Sequence, residues 1–122
     1  MTTRGAYDPD NVFARILRDE IPSDRVYEDE EFVAFRDIAP VAPVHLVLIP
    51  RGEPPTSTAG LRPDDAEWAG RLLVAAARVA REQGLEEGGY RLVLNAGRNA
   101  GQAVDHLHVH ILGGGDLGPI AG

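Results

Sequence analysis

Three of the chain's four histidines stand at alternate positions in His106-Leu107-His108-Val109-His110-Ile111-Leu112. Alternation with period two is the signature of a β-strand, whose successive side chains point to opposite faces. One face then carries Leu107, Val109 and Ile111, which suit a core, and the other carries three imidazoles. The fourth histidine, His45, stands in a second strand-like run, Val44–Ile49. Imidazole titrates near neutral pH and serves as nucleophile, base or metal ligand. A single histidine on such a strand is commonly structural, and a solvated face would mix Lys, Glu, Thr and Arg; three aligned imidazoles fit neither description. A His-x-His pair can also hold Zn²⁺. Neighbouring positions on one face have Cα atoms about 6.6 Å apart, so one ion could take an adjacent pair but not all three. Such a site would need further ligands from elsewhere in the chain.

Elimination narrows the chemistry. The chain has no cysteine and no lysine; all of its basic residues are arginines. Disulfides, thiolate nucleophiles, Cys-type zinc sites, Schiff-base lysines and P-loop lysines are thereby excluded. The only serines, Ser23 and Ser57, sit in proline-rich or turn-like settings that do not suit a nucleophile. Histidine, carboxylate, threonine, tyrosine and metal-bound water remain. A formal charge of −7 argues against broad binding to nucleic-acid backbones, while a small anion could still be held by local donors. No apolar run approaches the length of a membrane span, and Met1–Gly5 lacks the apolar stretch of a secretory signal. With the missing cysteines, this makes the cytoplasm the expected location.

The elements that must position the histidines follow from the rest of the pattern. At 122 residues the chain is expected to form one domain, with a loose arm over residues 1–9 and a glycine-rich, flexible tail over 113–122. Asp10-Asn11 offers a cap for a short helix over Val12–Arg18, stopped by Ile21-Pro22-Ser23-Asp24. Strands are expected at about Arg25–Glu28 and Phe32–Arg36, joined by an acidic turn, then at Val44–Ile49 and Arg91–Asn95. Pro63, followed by Asp64 and Asp65, opens a long helix to about Gln83, closed by Gly84. Its apolar face is Trp68, Leu72, Ala75, Ala76 and Val79, a packing face. Strands in runs with one long and one short helix give an α+β domain with a mainly antiparallel sheet, not a Rossmann-type core.

The loop Asn95–Ala103 feeds the histidine strand. Its glycines let backbone N–H groups approach a ligand, and a run of free amides makes a concave anion site. Asn95 and Gln102 add side-chain donors, so an anion held there would lie beside the imidazole face.

These residues resemble the histidine triad family. His106 to Leu112 reads His-φ-His-φ-His-φ-φ, with φ apolar. The resemblance extends to Val12-Phe13-Ala14-Arg15-Ile16, Glu20-Ile21-Pro22, Val26–Asp29, Ala34–Pro40, Ala42–His45, Asn95 and Gly101-Gln102, which look like the Hint branch of histidine triad nucleotide-binding proteins. It implies the fold of that family, a homodimer with a shared sheet, and no cofactor or metal. The implied ligands are purine nucleoside monophosphates and their phosphoramidates, and the implied activity is phosphoramidate hydrolysis through a nucleotidyl-histidine. A nucleotide-binding regulator with slow turnover and a dinucleoside polyphosphate hydrolase are the alternatives. His108 matches the nucleophile, and His106 the residue whose carbonyl takes its near N–H. His110 matches a phosphate contact, and His45 the outlying histidine that supports the triad. Asp37 matches the ribose carboxylate; Asn95, Gly101, Gln102 and Ala103 match the phosphate side. Val12, Phe13, Ile16, Phe35 and Ile38 match the apolar base pocket. Three departures stand out: Ala103 replaces a serine common in the family, Pro50-Arg51-Gly52-Glu53 replaces Pro-Lys-x-His, and the tail lacks a tryptophan.

Overall fold

The computed structural model describes residues 7–121, so the expectations for residues 1–6 and for Gly122 lie outside the described residues. Seven regular elements follow in order: α1 (Val12–Leu17), β1 (Arg25–Glu28), β2 (Phe32–Arg36), β3 (Val44–Pro50), α2 (Ala66–Glu82), β4 (Tyr90–Val93) and β5 (Val109–Gly113). The strands form one antiparallel sheet in the order β1-β2-β3-β5-β4, with short 3₁₀ turns in the connections. The α+β architecture is the one expected. Asn11 caps α1 by accepting from the Ala14 N–H at 2.9 Å. A 3₁₀ turn at Pro63–Asp65 leads into α2, and Gly84, at φ +75°, lets the chain leave its far end.

Period-two alternation sorts the sheet into two apolar faces. Phe32, Ala34, Leu46, Leu48, Leu107, Val109 and Ile111 point toward α2 and pack with Leu72, Ala75, Ala76 and Val79. Val33, Phe35, Val47 and Ile49 point the other way and pack with Phe13 and Ile16 of α1. The apolar face expected for the long helix is the buried one, with Trp68 packed at its edge. His45, His108 and His110 have the parity of the α1 side. A short helix over half of one sheet face leaves room beside it for a site.

The histidine strand is shorter than its alternation predicts. The β3–β5 ladder runs from Val44↔Gly113 to Leu48↔Val109 and stops. Continuing it would set Leu107 opposite Pro50, which has no N–H to give. Leu107 donates instead to the Pro55 carbonyl at 3.0 Å, and residues 106–108 run outside the regular strand. β4 starts at Tyr90 and ends at Val93, short of the expected Asn95. The first residue of the tail expected over 113–122, Gly113, is the end of β5, and further on the Arg91 guanidinium donates to the Gly118 carbonyl. In the described part of the arm expected to be loose, the Tyr7 hydroxyl lies 2.7 Å from His106 Nδ1. No helix among the described residues is long and apolar enough to cross a membrane.

Candidate active site

Hydrogen bonds fix the tautomer of all four histidines, because a carbonyl can only accept and an amide N–H can only donate. His108 Nδ1 lies 2.7 Å from the His106 carbonyl, so it carries the proton and Nε2 keeps a lone pair. His106 Nε2 lies 2.8 Å from the Pro50 carbonyl and must donate, which leaves Nδ1 to accept from Tyr7. The Val41 N–H donates to His45 Nδ1 at 3.1 Å, so the proton of neutral His45 is on Nε2. That Nε2–H faces His110 Nδ1 at 2.9 Å, with the Asp37 carboxylate 3.4 Å away. His110 therefore accepts at Nδ1 and keeps its own proton on Nε2. A bare nitrogen on His108 and a donor on His110 result, with the two rings edge to face at 4.9 Å.

All three triad imidazoles favour the neutral form. Burial pushes His106 down to about 4, against the opposing pull of the Pro50 carbonyl. His108 is lowered chiefly by burial, with the His106 carbonyl and Asp37 opposing. Burial, then His108 and His45, push His110 down to about 4, with Asp37 opposing. A nucleophilic imidazole must be unprotonated, so these shifts keep His108 competent at neutral pH.

His108 and His110 open into a cavity of about 400 Å³ on the α1 side of the sheet. Val12, Phe13, Ile16, Phe35 and Ile38 form its apolar wall, and the Phe13 ring stands edge-on to His108 at 4.9 Å. Asp37, Asn95, Gly101 and Ala103 complete the polar end. Asp37 also accepts from the Ala39 N–H through Oδ1, the turn geometry expected of an acid before Pro40. Gly97 and Gly101 both have positive φ, +81° and +74°, around the 3₁₀ turn Arg98–Ala100. That conformation is strained for other residues and is what bends the loop toward the histidines.

The structure separates three of the expected site residues from the cavity wall. His106 is fully buried and His45 nearly so, each hydrogen-bonded to a neighbouring histidine. Gln102 faces away from the ligand space: its amide nitrogen donates to the Thr56 and Val104 carbonyls, and its oxygen accepts from the Gly97 N–H. It ties the loop in place and has no donor to spare for a ligand. Five residues that the periodicity did not single out also line the cavity: Ile21, Pro22, Ser23, Arg36 and Val104. Ile21 and Pro22 stood in the sequence as a helix stop and as part of the family resemblance, not as a wall of the site.

Asp37, His45 and His110 offer three ligand atoms within 4.8 Å of one another, a spacing that suits a metal ion. The hydrogen bonding does not. Coordination through His45 Nε2 would move its proton to Nδ1, where it would meet the Val41 N–H head-on.

The HIT domain family matches residues 18–117. The chain belongs to the HIT family. It is 44% identical over 111 residues to the purine nucleoside phosphoramidase of Escherichia coli K12, covering 91% of this chain and 92% of that protein. A 14 kDa zinc-binding protein of Zea mays is 46% identical over 88% of this chain and 84% of its own length. The solved HIT family hydrolase from Clostridium thermocellum superposes with a TM-score of 0.85 at 43% identity, covering 90% of this chain and 95% of that one. This HIT protein is a hydrolase by that kinship.

Proposed function

We propose that the protein hydrolyses purine nucleoside 5′-phosphoramidates through a covalent nucleotidyl-histidine on His108. The observation that carries this reading is the 2.7 Å bond from His108 Nδ1–H to the His106 carbonyl, which leaves Nε2 as a lone pair beside the cavity. In the first step the Nε2 lone pair forms a bond to the α-phosphorus. The P–N bond to the leaving group breaks, and its electron pair departs with the nitrogen, which takes up a proton as the free amine. In the second step water attacks the same phosphorus and the P–Nε2 bond breaks. Nucleoside monophosphate is released, His108 recovers its lone pair, and the proton lost by water passes to solvent. Phosphorylated imidazole is a good leaving group, so two moderate barriers replace one high one.

The cavity suits that substrate from end to end. The apolar wall from Val12 to Phe35 takes the flat base, and Asp37 accepts from the ribose hydroxyls. The loop at Gly101–Ala103 and the His110 Nε2–H meet the phosphoryl oxygens, where charge builds in both steps. The kinship with a purine nucleoside phosphoramidase supports purine over pyrimidine. A homodimer is part of the same reading: β4 is an edge strand, and Leu73 and Val74 are exposed apolar residues on the neighbouring helix. Sedimentation at micromolar concentration tests that state.

Intact-protein mass spectrometry after mixing with an adenosine phosphoramidate tests the mechanism. An AMP adduct on His110→Ala protein that is absent from His108→Ala protein is the expected result. Full turnover by His108→Ala would end the covalent mechanism. Activity that survives chelator separates this reading from one that runs through a metal.

A further inference from the structure

We propose that Tyr7, from the N-terminal arm, is a positioning residue for the nucleophile, acting on His108 through the ring and carbonyl of His106; this rests on His108 being the nucleophile. The segment 106–108 lies beyond the end of β5, so the ladder does not place it. Besides the His106 carbonyl, which accepts from the His108 ring, its backbone is tied where the Leu107 N–H donates to the Pro55 carbonyl, and Leu107 packs into the core. The His106 side chain adds a restraint of its own, being completely buried and tied at both nitrogens. Pro50 holds Nε2 at 2.8 Å and Tyr7 holds Nδ1 at 2.7 Å.

His106 is also the residue whose carbonyl grips His108 at 2.7 Å. Ring and carbonyl belong to one short residue, so freedom in the first becomes freedom in the second. Tyr7 thus reaches His106 across 99 positions of sequence, and the nucleophile through it. The phenol is suited to this: burial, with Glu53 adding, pushes it up and keeps it a donor, against the lowering contact from Asn11. Its ring also lies 5.6 Å from the His106 ring at a tilt, so the hydroxyl can be removed without emptying the space.

Tyr7→Phe keeps that packing and takes away only the donor. Buried Nδ1 is then left without a partner, which the ring relieves by turning or moving. A nucleophile displaced by a fraction of an ångström loses rate while binding is spared. Rapid mixing with an adenosine phosphoramidate should show nucleotidyl-histidine forming about tenfold more slowly in Tyr7→Phe. The Kd for AMP should stay within about twofold. In ¹⁵N-histidine spectra, the His108 signal should move from a single Nδ1–H tautomer toward a mixture. A chemical step as fast as wild type, or a loss matched by weaker AMP binding, overturns the proposal. If wild-type protein cleaves no phosphoramidate, the functional reading fails separately. The imidazole spectra then decide the coupling alone, and an unaltered His108 tautomer in Tyr7→Phe overturns it.

Discussion

His45 Nε2 donates to His110 Nδ1 across 2.9 Å, and this one bond sets which nitrogen His110 presents to the cavity. The chain of donation starts at the Val41 backbone N–H, which cannot change its role, and passes through the His45 ring to His110. A backbone amide is therefore what makes His110 a donor at Nε2.

Replacing His45 with Phe should free His110 to take either tautomer. In half of its population the nitrogen facing the phosphate would then be a lone pair, which repels phosphoryl oxygen. We expect kcat to fall about twofold, because only the molecules that keep a donor at Nε2 stabilise the developing charge in full. Removing His45 also lifts one of the influences that lower His110, so its titration, followed by NMR, should move upward in the variant. Unchanged kcat and an unchanged titration would show that His110 is held by something else.

Acid should destabilise the fold before it titrates the carboxylates. His106 is depressed from 6.5 to about 4 in the native state, so between those values the unfolded chain binds more protons than the folded one. Stability then rises with pH: the His106 contribution is complete above 6.5 and is lost as pH falls toward 4. It amounts to on the order of 3 kcal/mol over the full interval. His110 adds to the loss in the same window, with the same sign. The lowered carboxylates Glu20, Glu28, Asp29 and Glu31 weaken the fold only at lower pH, since their ordinary values lie at 4.5 or below. Urea midpoints at pH 7, 6 and 5 should fall steadily. A flat profile would mean that His106 titrates in the folded chain as it does in the unfolded one.

Much of this was legible in the sequence because it rests on period and parity. Leu107, Val109 and Ile111 bury where alternation puts them, and His108 and His110 share the opposite face. The cap at Asn11 and the packing stripe of α2 are local signals of the same kind. What escaped depends on partners distant in sequence. Pro50 cuts β5 short because it faces position 107, a pairing that no local pattern contains. Gln102 reads as a ligand donor beside glycines, but its amide nitrogen is claimed in part by the Thr56 carbonyl, 46 positions away. Tyr7 stands in an arm without periodicity and acts 99 positions away.

Gln102→Ala should weaken nucleotide binding without touching a ligand. It removes three hydrogen bonds of 2.6 to 3.0 Å that tie the loop to the Thr56 and Val104 carbonyls and to the Gly97 N–H. A stability cost of about 1–2 kcal/mol is expected, because partly sheltered backbone groups lose their partners. The loop would then have to be ordered by the ligand, which should raise the Kd for AMP roughly five- to tenfold. Calorimetric titration together with a thermal melt checks both. Weaker binding with no loss in the melt would instead make Gln102 a direct ligand group.

Ala103→Ser should improve the enzyme. Ala103 lines the polar end of the cavity and is solvent-exposed, so a hydroxyl fits there without displacing packed atoms. Gly101 bends the chain immediately before it, which aims this position at the space between the loop and His110. An added hydroxyl can donate to a phosphoryl oxygen as negative charge builds, and hydrogen bonds to charged groups are worth about 1.5–3 kcal/mol at full burial. Exposure to water cuts that to about 1 kcal/mol, and a rise in kcat/KM of about fivefold follows. The gain should be in kcat more than in KM, because the charge is greatest in the transition state. Steady-state kinetics of the two proteins on one phosphoramidate decide the matter. No gain would mean that the phosphoryl group lies out of reach of residue 103.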